Sequence, residues 1–141
     1  MRIRYVAALL GAALVAVTPV ATAAPARADD IVCFINVIEP YKTGYEAIAP
    51  IAFGFQVHCT GRPALREVTT KLWRYDTMDG RHYVHAERTD NSTDPDIETM
   101  YYASCSTAGV VYRFHTDAIV NAVHGNWDRH PDDSDTMVAR C

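Results

Sequence analysis

From Ile51 to Cys59 the side chains alternate without a break. Ile51, Phe53, Phe55, Val57 and Cys59 fall on one side, and Ala52, Gly54, Gln56 and His58 on the other. A helix repeats every 3.6 residues and a strand every two, so a β-strand is the regular element that gathers those five apolar groups on one face. The chain beyond residue 28 has the matching side-chain usage. It holds two leucines (Leu65 and Leu72) against ten valines, seven isoleucines and eleven threonines. Stiff β-branched side chains suit a pleated surface better than a helical one.

Other segments read the same way. Ile31, Cys33, Ile35 and Val37 alternate, while Val32, Phe34 and Ile38 make the opposite face apolar too, which predicts a strand covered on both sides. Gly61-Arg62-Pro63 is a break. Val68, Thr70 and Leu72 then oppose Glu67, Thr69, Lys71, Trp73 and Tyr75, and Asp79-Gly80 is a hairpin signal leading to a return strand over about 81–89. Strand signals resume at 99–105, 110–116 and 136–141. Segments 90–98 and 125–133 read as polar loops. Segment 117–124 fits a helical turn as well as an irregular strand, because of Ala118, Ile119, Ala122 and Val123. The expectation is an all-β fold, a small β-sandwich of about seven strands, with a β-barrel as the alternative.

The N-terminus has a different purpose. Arg2 and Arg4 precede an apolar run from Tyr5 to Val17, and Ala26-Arg27-Ala28 has the small-x-small form of a signal-peptidase cut. Residues 1–28 are therefore expected to be a cleaved secretory signal, with 29–141 forming one β domain and no membrane span after processing. Cleavage removes three of the 13 basic side chains (Arg2, Arg4, Arg27) and none of the 17 acidic ones. The remaining 113 residues carry ten bases and 17 acids, a net charge of −7, which speaks against nucleic acid as a partner. A chain of this length buries only roughly 60–70% of its unfolded surface.

Cys33, Cys59, Cys105 and Cys141 all lie beyond the cut. An even cysteine count in a short exported chain implies a disulfide framework. Of three possible connectivities, Cys33–Cys59 and Cys105–Cys141 is favoured, since each bridge then joins two predicted strands. In the chain-entropy model loops of 26 and 36 residues contribute about 3.5 and 3.8 kcal/mol. No two cysteines have the close spacing of a zinc site, and no metal or cofactor is expected.

Candidate functional residues fall in two groups. Trp73, Arg74, Tyr75 and Tyr83 around one hairpin, with Trp127 and Arg129 further on, supply the aromatics and arginines that binding patches use. His124, Asp128, His130 and Asp132 crowd the 125–133 region and could serve acid–base chemistry. No Gly-x-Ser-x-Gly and no Gly-rich phosphate loop occurs. The favoured reading is a secreted, non-enzymatic protein that binds another secreted or envelope protein, as an inhibitor or as an adaptor of an exported complex. The alternative is a small secreted hydrolase or lytic factor using the loop histidines and aspartates.

Overall fold

The alternating segments become strands in a computed structural model that describes residues 30–105 and 109–141. Among these residues there are eight strands and no helix. They are β1 (Cys33–Lys42), β2 (Ile51–Cys59), β3 (Leu65–Asp76), β4 (Arg81–Asp90), β5 (Asp96–Ala103), β6 (Val111–Val123), β7 (Trp127–Asp133) and β8 (Met137–Arg140). One sheet has the order β1-β2-β5. The other has the order β4-β3-β6-β7, with β8 paired to the remaining stretch of β6. All pairs are antiparallel. The two sheets pack face to face as a sandwich, and neither closes into a barrel. The expected signal segment lies outside the described residues.

The core is the set of inward alternates. Cys33, Ile35, Phe55, Val57 and Cys59 of the three-stranded sheet meet Val68, Ala118, Val120 and Ala122 of the larger one. At the other end Ile51, Phe53 and Ala103 meet Leu72, Tyr112, Phe114 and Ala139. Each large side chain so buried contributes about 1.5–3 kcal/mol. The disulfide Cys33–Cys59 joins directly opposed positions of β1 and β2, and Cys105–Cys141 ties the end of the β5 region to the end of β8 in the other sheet. Val110 and Cys141 exchange two backbone hydrogen bonds beside the second bridge. Two disulfides in a small β protein fit an extracellular or otherwise oxidising compartment.

The structure decides one segment that the sequence left open and corrects two expected loops, the first being 90–98, where β5 already begins at Asp96. Residues 117–124, ambiguous in sequence, continue β6 as far as Val123. The strand alternates without interruption, burying Tyr112, Phe114, Thr116, Ala118, Val120 and Ala122. The expected loop at 125–133 contains β7, a sheet-edge strand. Its sequence, Trp127-Asp128-Arg129-His130-Pro131-Asp132-Asp133, has no apolar alternation to announce it. Pairing with β6 makes it a strand, and Pro131 is tolerated because an edge strand has one side that needs no N–H.

The seam between β1 and β7 follows from that placement. β1 is an edge of its sheet, so its outward N–H groups lack a strand partner. Asp128 accepts a hydrogen bond from the Cys33 N–H and Asp132 accepts one from the Val37 N–H, each at 2.8 Å. Carboxylates from one sheet thus finish the hydrogen bonding of the other, and the edge is blunted against further pairing. On the opposite side of the sandwich the chain crosses between sheets through residues 91–95. Arg66, only 3% exposed, holds this crossing: it donates to Asp90 Oδ1 at 3.0 Å and to the Asp94 carbonyl.

Candidate binding surfaces

The outer face of the five-stranded sheet carries much of what the sequence singled out. Opposite partners across β3 and β6 give its rows. Leu65, Val123 and Trp127 form one terminal row, all three exposed. Glu67, Asn121 and Arg129 form the next. Lys71, Asp117 and Asp133 lie further along, and Trp73 stands beside His115. The Trp73 and His115 rings stack at 6.3 Å, and His82 meets His115 edge-on at 6.0 Å and Tyr75 at 4.8 Å. Lys71 Nζ sits 5.9 Å from the Trp73 ring.

The expected patch does not hold together as one surface. Trp73 and Tyr75 face outward, but their neighbour Arg74 alternates to the opposite side, where its guanidinium lies 4.6 Å from the Tyr112 ring and 5.4 Å from the Tyr83 ring. Tyr83 donates its hydroxyl proton to Asp79 at the hairpin tip. This raises the Tyr83 pKa and lowers that of Asp79. Trp127 and Arg129 share the outer face with Trp73 but are remote from it. From His115 to Val123 along β6 is eight residues, roughly 27 Å at strand rise.

The acid–base candidates are brought partly together. Asp128, His130 and Asp132 alternate onto the same side of β7, and His130 Nε2 lies 3.1 Å from Asp128 Oδ1. The His130 ring rests 5.4 Å from that of Phe34. Both carboxylates are already engaged by β1 backbone, so the pair is built into the seam. His124 lies in the β6–β7 turn, with its Nδ1 buried and unpartnered. Every cysteine is in a disulfide, so no free thiol is present. Among the described residues no group of three His, Cys, Asp or Glu side chains is placed to hold a metal ion.

Sequence reasoning passed over the outer face of the three-stranded sheet. Its rows are Phe34–His58–Asp96, Asn36–Gln56–Glu98, Ile38–Gly54–Met100 and Tyr41–Ala52–Tyr102. The central strand offers small residues in the last two rows, with large ones on both sides. Phe34 and Tyr41 are each 49% exposed and Tyr102 is 59% exposed. The hairpin loop that follows β1 carries Tyr45 and Ile48, both fully or largely in solvent, and Tyr45 borders a cleft lined by β8 of the other sheet. A signal was available: Tyr101-Tyr102 must split across the sheet, and Tyr101 is the one that packs on Phe53 and Phe55.

The charges of this face have one sign. Its rows carry exposed Asp96, Glu98 and His58, exposed Glu39 lies in the bulge between Ile38 and Tyr41, and the three strands have no exposed lysine or arginine. Its Lys42 turns back, donating to the carbonyls of Glu46, Ala47 and Arg140 at 2.6, 3.1 and 2.7 Å. His58 bonds Asp96, and Gln56 donates to Glu98 at 2.7 Å. The opposite face of the sandwich instead mixes Lys71, Arg113 and Arg129 with Glu67, Glu87, Asp117 and Asp133.

No family model matches the chain, and neither a curated protein nor a solved structure is detectably similar to it.

Proposed function

We propose that the chain is a secreted binding protein that recognises another protein and does so without catalysis. The observation that carries this reading is the apolar end of the outer face of the three-stranded sheet, where exposed Tyr41 and Tyr102 flank Ala52 next to Ile38 and Met100, with exposed Phe34 at the far end of the same face. Tyrosine, phenylalanine and methionine are the side chains enriched at protein interfaces, where they bury a large apolar area while their polar ends find partners. Rigid strands hold them at low entropic cost. Export is supported by the N-terminal Arg2/Arg4, apolar run and Ala26-Arg27-Ala28 box together with the two bridges.

The hydrolase reading has weaker support. It would rest on His130 and Asp128, yet Asp128 and Asp132 are occupied in closing the seam to β1. The test pairs two measurements on residues 29–141. Casein, peptidoglycan and chitin are expected to remain intact. A partner captured from the culture fluid by wild type is expected to be lost from the Tyr41→Ser/Tyr102→Ser variant. Turnover that disappears in His130→Ala overturns the proposal in favour of hydrolysis.

A further inference from the structure

We infer that the outer face of the three-stranded sheet is the docking surface, and that its occupant is a basic protein presenting an apolar knob and, at a distance from it, a lysine or arginine. This rests on the binding reading above and adds what chemistry the face selects in its partner. The face is divided along the strands. Tyr41, Ile38, Met100 and Tyr102 make an apolar end over Ala52 and Gly54, and Asp96 and Glu98 make an acidic end. Glu98 and Tyr102 are four residues apart on the same side of β5, about 14 Å at strand rise. A complementary partner therefore carries its cation about that far from its apolar contact.

Charge selects among the occupants. No exposed lysine or arginine on these strands offsets Glu39, Asp96 and Glu98, and Lys42 is held by backbone carbonyls. A second copy docking through the same face would bury these carboxylates against a surface that has no exposed lysine or arginine to pair with them. An anionic lipid surface would be repelled by the same carboxylates. A basic partner gains both steering and register from these carboxylates.

The experiment uses a displayed library of a small helical scaffold with a randomised surface, selected on immobilised residues 29–141. The expected binders are enriched in lysine or arginine together with an aromatic or aliphatic residue. Their affinity is expected to fall with added salt. It is also expected to fall at least tenfold for Tyr102→Ser and for Glu98→Lys, and to change less than twofold for Trp73→Ser and Trp127→Ser. Tyr102 and Glu98 are exposed, and unchanged thermal midpoints check that both variants fold. Binders lost with Trp73→Ser or Trp127→Ser but indifferent to Tyr102→Ser and Glu98→Lys overturn this inference and leave the binding function standing. Binders without basic enrichment overturn the charge selection. No enrichment over a blank surface counts against the binding function itself. A sedimenting dimer that dissociates on Tyr102→Ser assigns the face to a second copy and overturns the basic partner.

Discussion

Arg66 shows how much can depend on one side chain in a small sandwich. Its guanidinium is out of solvent and is met by Asp90 Oδ1 and the Asp94 carbonyl. Removing one member of such a pair leaves an uncompensated buried charge. Asp90→Ala is therefore expected to cost about 3–5 kcal/mol in urea unfolding. A loss under 1 kcal/mol would remove Arg66 as the anchor of the crossing. Gly54 is constrained differently: a Cβ there would collide with the Thr99 carbonyl oxygen of β5. Gly54→Ala is expected to lose about 1–3 kcal/mol by forcing the strands apart, checked by the same unfolding curves. Tyrosines set the alkaline limit. Burial, then the Asp90 charge, raise Tyr101 above its ordinary 10.0, and the bond to Asp79 chiefly raises Tyr83. Groups raised on folding contribute stability that is fully present below about 10 and is lost as pH rises through their higher folded values. Stability should therefore decline above pH 10, less steeply in Tyr101→Phe. Equal slopes for the two proteins would exclude Tyr101 from that loss. The Asp79 carboxyl, held below its ordinary 3.8 mainly by the Tyr83 hydroxyl, works at the other limit: its contribution is present above 3.8 and is lost as pH falls through the lower folded value.

Elements differ in how far their own residues explain them. β2 was legible from alternation alone, and β1, β3 and β4 nearly so, although β3 begins earlier, at Leu65. β7 was not legible: four of its seven residues are charged, one is proline, and only β6 makes it a strand. β5 begins at Asp96, inside the expected polar loop, since pairing of His58 with Asp96 extends the ladder past the last apolar residue. The seam is the element-level feature with the clearest consequence. Asp128→Ala/Asp132→Ala leaves the Cys33 and Val37 N–H groups without their acceptors, at about 1–3 kcal/mol each. Faster amide exchange at Cys33 and Val37 and concentration-dependent aggregation through the freed β1 edge are expected. Unchanged exchange there would show that the carboxylates do not protect the edge.

The whole molecule is two sheets whose free faces differ in kind. One mixes charges of both signs around Trp73 and a remote Trp127, and the other is tyrosine-rich and acidic. Cys105–Cys141 is the bridge that spans the sheets, while Cys33–Cys59 lies within one. Replacing Cys105 and Cys141 by serine should therefore expose the β8 amides to exchange before those of β1 and β2. Uniform loss of protection would mean that the bridge supports the whole fold instead. The sequence alone determined the strand-forming character, the inward set of β2 and the even cysteine count in a chain too short for a large core. All of these rest on local periodicity and composition, which need no knowledge of neighbours. Only the tertiary structure decided that Arg74 and Tyr83 leave the face of Trp73, that Asp128 and Asp132 serve a seam, and that Phe34, Tyr41 and Tyr102 share one acidic face. Those outcomes depend on register and on which strand lies beside which, and strands far apart in sequence set both.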